Sequence, residues 1–134
     1  MPRINIFLAD DDPDDALLFS EIAWEVDKQL HVTHFMTCEA LVAALGDSWI
    51  PDIIFLDLNM PAMTGQTCLR KIRSKDAWKK IPVIIYSSAS RTDIIENCYA
   101  CGADLYVVKP NASQKLAEII RSAIKKFVPG HKLP

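Results

Sequence analysis

The sequence has no apolar run approaching the ~20 residues needed to span a bilayer, and its net charge is only −2 over 134 residues. The first absence argues against membrane insertion. The near-neutral balance gives no support to direct nucleic-acid or anionic-membrane binding. A signal peptide is also missing, because the acidic stretch at residues 10–15 arrives too early for one. Together these absences lead us to expect a cytoplasmic protein.

Cysteine is scarce, with four residues in the chain. In a cytoplasmic protein such cysteines favour free thiols over disulfides. Cys98 and Cys101 have the spacing of a redox motif, but they fall late in a predicted helix and share a face with Ile94, which favours core packing. Cys38 and Cys68 also occupy apolar positions. The sequence therefore predicts buried thiols.

Four apolar runs end in polar groups, which is typical of buried parallel strands that deliver side chains to the rim of a sheet. The runs are residues 4–9, 53–56, 83–86 and 105–108, followed by three aspartates at 10–12, by Asp57, by Ser87-Ser88 and by Lys109-Pro110. Half of all residues are hydrophobic and 24% are charged, which is normal for one globular domain.

Hydrophobic periodicity predicts five strands alternating with five helices. The strands are expected at residues 4–9, 31–36, 52–57, 82–87 and 105–109, and the helices at 13–28, 38–45, 65–75, 91–101 and 112–127. This alternation predicts an α/β fold, a doubly wound (βα)5 parallel sheet with helices on both faces. Residues 1–128 are expected to form one domain, and residues 129–134 a flexible C-terminal tail.

Five aspartates lie within residues 10–15, and helix capping explains three of them. Asp12 fits the N-cap position, where its carboxylate accepts backbone N–H groups. Pro13 fits the first helical position. Asp14 and Asp15 in the first turn suit the helix dipole.

Asp10 and Asp11 precede the cap, so capping does not explain them. We expect them at the same edge of the predicted sheet as Asp57, because the carboxyl ends of parallel strands share one edge. Carboxylates gathered there repel one another, and a hard divalent cation such as Mg²⁺ removes the repulsion. An EF-hand loop is a poor alternative, because its sixth position requires glycine and holds Asp15, and a strand precedes it.

A specific family is indicated by polar and turn residues that follow one another in a fixed order and separation. The set is Asp10-Asp11, then Asp57-x-x-Met60-Pro61-x-x-x-Gly65, then Ser87, then Lys109-Pro110. Over residues 4–127 the chain resembles the receiver domain of two-component response regulators, in particular the single-domain chemotaxis-regulator type. The resemblance implies a flavodoxin-like sheet of order 2-1-3-4-5, with a crevice between strands one and three.

The resemblance also implies roles for the acidic residues. Asp57 matches the phospho-acceptor, which takes a phosphoryl group from a phosphohistidine on a sensor kinase. Asp10 and Asp11 match the acidic pair that binds Mg²⁺, together with Asp57 and the backbone carbonyl of Asn59. Phosphoryl transfer needs positioning and charge neutralisation more than covalent help, so these assignments agree with the chemistry.

Further roles are implied for residues on the last two strands. Lys109 matches the lysine that pairs with the phosphoryl group, and its peptide bond to Pro110 is expected to be cis. Ser87 matches the hydroxyl switch residue, and Tyr106 matches the aromatic switch position. Coupled movement of Ser87 and Tyr106 is expected to reshape the surface of helix four, strand five and helix five.

The leading interpretation is a stand-alone phospho-acceptor switch that is not an enzyme beyond its own phosphorylation and dephosphorylation. Its expected partners are a sensor histidine kinase or phosphotransfer protein and a downstream protein target, with a homodimer left open. One alternative is a constitutive binding module with the same fold. Another is a haloacid-dehalogenase-like phosphatase, which would need a second aspartate at the position of Asn59.

Histidine and tryptophan give weaker signals. His31 and His34 lie three apart on a predicted strand and so face opposite sides, which excludes joint chelation of one metal. Trp24, Trp49 and Trp78 are expected in the core or at its rim, and an exposed one is a candidate for a partner surface.

Overall fold

The computed structural model describes residues 3–134, which form five strands and five α-helices in alternation. The strands are β1 (Ile4–Ala9), β2 (Leu30–Phe35), β3 (Ile53–Leu56), β4 (Val83–Ser87) and β5 (Leu105–Val108). The helices are α1 (Pro13–Val26), α2 (Cys38–Ala44), α3 (Gly65–Ser74), α4 (Thr92–Ala100) and α5 (Ser113–Phe127). The predicted elements are confirmed to within about two residues at each end, the usual uncertainty of helix boundaries.

The sheet is parallel throughout, and its strand order is β2-β1-β3-β4-β5. This confirms the order implied by the family resemblance. Helices α1 and α5 cover one face, and α2, α3 and α4 cover the other, as right-handed crossovers require when the strand order reverses. The reversal lies between β1 and β3, so a crevice opens at the carboxyl ends of these two strands.

Strand β3 shows why the central apolar runs are continuous. Ile53 and Phe55 pack in the core beneath α1 and α5, whereas Ile54 and Leu56 pack beneath α2, α3 and α4. All four side chains are fully buried. Because successive residues of a strand point to opposite faces, a strand covered on both sides must be apolar at every position.

The predicted start of α1 is confirmed. Pro13 is the first helical residue and Asp12 is the N-cap. The Asp12 carboxylate accepts the backbone N–H of Asp14 at 2.9 Å and that of Asp15 at 3.3 Å. Two otherwise unpaired N–H groups of the first turn are thereby satisfied.

Two of the four cysteines form a disulfide, so the prediction of free thiols is wrong for this pair. Cys38 begins α2, Cys68 lies in α3, and their Cα atoms are 5.8 Å apart. Both are fully buried on one face of the sheet. The two helices pack side by side there, and this proximity of residues 30 apart in the chain is not encoded in spacing alone. Cys98 and Cys101 are free, as expected.

The C-terminal segment contacts the domain through two side chains, and the flexible tail at residues 129–134 stays a prediction. Nε2 of His131 lies 2.7 Å from Oδ2 of Asp27, and the two side chains are only 4% and 10% exposed. Leu133 packs against the core beneath α1 and α5. The sequence did not reveal this contact because Asp27, the hydrogen-bond partner of His131, lies at the end of α1, 104 residues earlier.

The tryptophans divide between core and surface. Trp78 is buried in a short 3₁₀ helix, Asp76–Trp78, and its indole N–H donates to the carbonyl of Gly46 at 3.0 Å. Trp24 and Trp49 are 57% and 49% exposed. Among the helices that the structure describes, none combines the length and apolar character that crossing a membrane requires.

Candidate functional site

Three carboxylates meet in the crevice between β1 and β3. One oxygen each from Asp10, Asp11 and Asp57 lies within 4.8 Å of the other two. Asp10 and Asp57 are buried, at 1% and 5% exposure, whereas Asp11 faces solvent. The structure therefore brings together the three acids that the sequence predicted to share a site.

Strand register places two of these acids side by side. Ala9 pairs with Leu56 across β1 and β3, and each is followed at once by an aspartate. The backbone N–H of Asp57 then donates to the carbonyl of Ala9 at 2.9 Å. Both carboxylates thus leave the sheet at the same level, without any contribution from a loop.

Asp10 is held at both carboxylate oxygens. Oδ1 accepts the backbone N–H of Asp12 at 2.9 Å, and Oδ2 accepts from Nζ of Lys109 at 2.8 Å. Burial raises the pKa of Asp10 above its usual value, although Lys109 and the Asp12 N–H act in the opposite direction. A further positive charge placed beside this buried carboxylate would stabilise its ionised form.

Lys109 is the cationic centre of the site. Its Nζ lies 2.8 Å from Asp10, 2.9 Å from Asp15 and 3.3 Å from Asp57, and its side chain is 15% exposed. Burial alone would lower the pKa of Lys109, but hydrogen bonds to Asp10 and Asp15 outweigh burial and raise it above its usual value. The ammonium group therefore stays charged at neutral pH, within reach of any group attached to Asp57.

Asp15 is a site residue that sequence reasoning missed. Asp15 lies in the first turn of α1, as predicted from the helix dipole. Its carboxylate also accepts a hydrogen bond from Nζ of Lys109, which was not predicted. A signal was present, since five aspartates in residues 10–15 exceed what one helix cap uses. Without the fold, however, no spacing connects Asp15 with a lysine 94 residues later.

The Lys109–Pro110 peptide bond is trans, because the described residues contain no cis peptide bond. The expectation of a cis bond is therefore wrong in this structure. An X–Pro bond prefers trans by roughly 0.5–1 kcal/mol unless its surroundings select cis. With this bond trans, the Lys109 N–H donates to the Ser87 carbonyl at 2.8 Å, and Nζ of Lys109 lies 3.3 Å from Oδ2 of Asp57.

The ring of Tyr86 lies next to the Lys109 ammonium group. Nζ of Lys109 lies 5.5 Å from the centre of the Tyr86 ring, within the range of a cation–π interaction. Burial raises the pKa of Tyr86 to about 12. The ring also packs edge-on against Phe19 and Phe55. This side chain, which the sequence analysis assigned only to a strand, links the site to the core.

Ser87 and Tyr106 contact the same loop residue. Ser87 is fully buried at the end of β4, and its Oγ accepts the backbone N–H of Ala89 at 3.3 Å. The Tyr106 hydroxyl donates to the carbonyl of Ala89 at 2.6 Å. Burial raises the pKa of Tyr106 above its usual value, so the phenol stays protonated and remains a donor at neutral pH.

The loop after β3 approaches Asp57 closely. The backbone N–H of Asn59 donates to Oδ1 of Asp57 at 3.3 Å, and the N–H of Gly65 donates to the carbonyl of Leu58 at 3.0 Å. A Cβ atom on Gly65 would lie 2.5 Å from the backbone oxygen of Asp57. Glycine is therefore required at position 65 by space alone. Metal ligation by the carbonyl of Asn59 stays a prediction.

The donor set fits a hard divalent cation. Mg²⁺ prefers oxygen ligands, takes one or two carboxylates, and fills its remaining positions with water or phosphate oxygens. The cluster offers three carboxylates within 4.8 Å, one of them exposed, so two would suffice as direct ligands and the third could act through water. Lys109 already balances part of their charge, and a dication would balance the rest.

A model of the response regulator receiver domain matches residues 6–121 of the chain. Curated relatives include the two-component response regulator ARR5 of Arabidopsis thaliana, 39% identical over 70 residues. The chemotaxis protein CheY of Pseudomonas aeruginosa is 35% identical over 75 residues. These alignments cover 52% and 56% of the chain, and 36% and 60% of the two relatives, so the chain spans less than two thirds of either.

Two solved structures share the whole architecture. The phosphorylated cyanobacterial phytochrome response regulator RcpA matches with a TM-score of 0.82 and 27% identity, over 98% of this chain and 99% of that one. The response regulator RPA3017, from red light signalling in R. palustris, matches with a TM-score of 0.83 and 26% identity, over 100% and 99% of the two chains.

Proposed function

The chain belongs to the response regulator receiver domain family of two-component systems, and we propose that it is a phospho-acceptor switch. Asp57 is the acceptor, and a phosphohistidine of a sensor kinase or phosphotransfer protein is the donor. One observation carries the proposal: the buried carboxylate of Asp57 lies 3.3 Å from the Lys109 ammonium and within 4.8 Å of the Asp10 and Asp11 carboxylates.

The transfer exchanges one bond for another. A carboxylate oxygen of Asp57 attacks phosphorus and forms the O–P bond, while the P–N bond to the donor imidazole breaks and its electron pair stays on nitrogen. Lys109 pairs with a phosphoryl oxygen, which it can reach from its present position beside Asp57. Such charge neutralisation, rather than covalent chemistry, carries most of the catalysis in phosphoryl transfer.

Asp10, Asp11, Asp57 and the backbone carbonyl of Asn59 would hold Mg²⁺, as the acidic cluster suggests. When bound, the cation would neutralise charge on the phosphoryl oxygens. Asp10 contributes from a fixed position, because hydrogen bonds hold both its oxygens. Asp11 is exposed and free to complete the coordination.

The output follows from the modification. A phosphoryl group adds roughly two negative charges and three strong acceptor oxygens. Ser87 would be drawn to one of these oxygens and would release Ala89, which Tyr106 also contacts. The surface of α4, β5 and α5 is then remodelled for a downstream protein. RcpA, which is similar over nearly the whole chain, was crystallised in a phosphorylated form and supports this view by analogy.

Two alternatives remain as outcomes of the test. A constitutive binding module would keep the fold without accepting a phosphoryl group. A haloacid-dehalogenase-like phosphatase would turn over small phosphate esters, but Asn59 stands where its second aspartate is needed. As a switch, residues 1–128 would act as the receiver unit, with no enzymatic turnover beyond its own phosphorylation and dephosphorylation.

Intact-mass spectrometry after incubation with acetyl phosphate tests the proposal. Wild type should gain one phosphoryl group in the presence of Mg²⁺ and none in the presence of EDTA. Asp57→Asn should gain none, whereas Asp52→Asn, at a carboxylate outside the cluster, should behave as wild type. If wild type gains no mass and also fails to bind beryllofluoride, a stable phosphoryl analogue, the constitutive binding module replaces the switch.

A further inference from the structure

The ring of His34 contacts the backbone of the acidic pair. Nε2 of His34, near the end of β2, lies 2.7 Å from the carbonyl oxygen of Asp10. His34 pairs with Leu8 in the sheet, and Leu8 and Val32 belong to the core beneath α1 and α5. The alternation along each strand places His34 on that same face. Because a carbonyl oxygen only accepts, Nε2 must carry the proton.

The contacted oxygen belongs to the peptide group that joins Asp10 to Asp11. This group is planar, so fixing its oxygen also fixes the direction in which the chain enters Asp11. The backbone ladder to β2 reaches the N–H of Asp10, which donates to the carbonyl of Phe35 at 3.0 Å. Beyond that point the His34 side chain supplies the donor that holds the strand end.

We propose that His34 is a positioning residue for Mg²⁺ at the Asp10–Asp11 pair. This inference rests on the proposed function and deepens it, because His34 contacts neither the carboxylates nor the position of a phosphoryl group on Asp57. Its hydrogen bond lowers the freedom of Asp11, which is exposed and would otherwise have to be ordered by the metal itself. Mutation of a residue that hydrogen-bonds to a metal ligand without touching the metal typically lowers metal affinity by about 10–100-fold.

Three substitutions separate this role from a general effect on the strand. In His34→Gln, the side-chain amide nitrogen takes a position close to that of imidazole Nε2 and can donate the same hydrogen bond. In His34→Asn, the amide is one carbon shorter and cannot reach the Asp10 carbonyl. His31→Asn makes the same chemical change on the same strand, at an exposed residue that faces the other way.

The first readout is the dissociation constant of Mg²⁺, measured by isothermal titration calorimetry. We expect His34→Asn to raise it by about tenfold, and His34→Gln and His31→Asn to stay near wild type. The second readout uses metal-free protein. The Asp12 N–H, which donates to Asp10 Oδ1, should exchange with solvent faster in His34→Asn than in His34→Gln.

A third readout separates binding from chemistry. At saturating Mg²⁺, the rate of Asp57 phosphorylation by acetyl phosphate in His34→Asn should return to the wild-type rate, because His34 takes no part in the transfer. Equal Mg²⁺ affinities in His34→Asn, His34→Gln and wild type, with wild type still phosphorylated on Asp57, would overturn this inference alone. A wild-type protein that neither binds Mg²⁺ nor accepts a phosphoryl group would overturn the proposed function and this inference together.

Discussion

The hydroxyl of Tyr106 donates a hydrogen bond of 2.6 Å to the backbone carbonyl of Ala89, whose own N–H donates to Oγ of Ser87 at 3.3 Å. One loop residue therefore connects the buried Ser87 hydroxyl at the end of β4 with an aromatic side chain on the edge strand β5. If Ser87 turns toward a phosphoryl oxygen, Ala89 loses one of these two contacts. The loop can then move, and the Ala89 carbonyl that accepts the Tyr106 hydrogen bond would move with it.

Ser87→Ala should uncouple the site from β5. The variant should still bind beryllofluoride with Mg²⁺, since Asp57 and Lys109 are unchanged. The analogue-induced change in the Tyr106 amide resonance should shrink, because the coupling, typically about 1–3 kcal/mol between linked sites, is lost with the hydroxyl. Ser88→Ala, at the exposed neighbouring hydroxyl, is the matched control. Wild-type shifts at Tyr106 in Ser87→Ala would refute the connection through Ala89.

Lys109→Met should separate metal binding from phosphorylation. On the proposed function the lysine would compete with Mg²⁺ for the carboxylates of Asp10 and Asp57, so its removal should tighten Mg²⁺ binding while it slows phosphorylation. Without metal the variant should be less stable by about 3 kcal/mol, because a buried carboxylate loses its partner. Mg²⁺ should restore most of that stability.

Urea unfolding with and without Mg²⁺, together with calorimetric titration of Mg²⁺, tests this prediction. Lys115→Met, at an exposed lysine of α5, controls for the loss of one positive charge. Weaker Mg²⁺ binding in Lys109→Met than in Lys115→Met would show that the lysine supports the metal rather than competing with it.

Gly65→Ala should distort the loop that carries Asp57. The new Cβ would lie 2.5 Å from the Asp57 carbonyl oxygen and 2.7 Å from the Leu58 Cα atom, both of which are backbone atoms and cannot move independently. Overpacking of this kind costs about 1–3 kcal/mol, and the displaced acceptor should be phosphorylated more slowly.

Gly130→Ala is the control variant for Gly65→Ala, because no atom lies within 4 Å of the new Cβ at position 130. Thermal unfolding and the initial rate of phosphoryl uptake should both be near wild type there. A Gly65→Ala protein with wild-type stability and rate would mean that the close approach of residue 65 to Asp57 is not maintained in solution.

The contact of Asp27 with His131 should make stability fall in acid. Burial alone would raise the pKa of Asp27, but hydrogen bonds from the Gln29 N–H and from His131 outweigh it and lower the pKa below 3.8. A lowered pKa in the folded state gives stability that is present above the usual pKa and lost as the pH falls through the folded value.

Urea unfolding at a series of pH values below about 5, within the acid range in which such carboxylates titrate, measures this contribution. The difference in stability between wild type and Asp27→Asn should shrink as the pH falls. A difference that is independent of pH would show that the Asp27 carboxylate gains nothing from its partners in the folded state.

The sequence predicted the parts of the site that strand ends define. Asp10, Asp57, Ser87 and Lys109 each follow an apolar run, so the parallel sheet brings them to one edge without further information. The order of the strands came from the family resemblance, and the structure agrees with it. Local chemistry also sufficed for the cap of α1 by Asp12.

Contacts between distant side chains could not be predicted. Asp15 and Lys109 are 94 residues apart, and His34 and Asp10 are 24 apart, so neither pair leaves a periodic trace in the sequence. The disulfide and the contact of His131 escaped for the same reason. In each case the local sequence already accounted for the residue, for example as part of a helix or strand. Its long-range contact depended on which element packs beside it in the fold.

Transfer from a phosphohistidine donor, followed by chemical mapping of the modified residue, tests the central claim most directly. The protein is incubated with Mg²⁺ and a phosphorylated histidine-containing donor domain, and borohydride then reduces any aspartyl phosphate to homoserine before peptide mass spectrometry. We expect homoserine at residue 57, absent without Mg²⁺ and absent in Asp57→Asn. Homoserine at Asp10, Asp11 or another aspartate, with Asp57 intact, would contradict it.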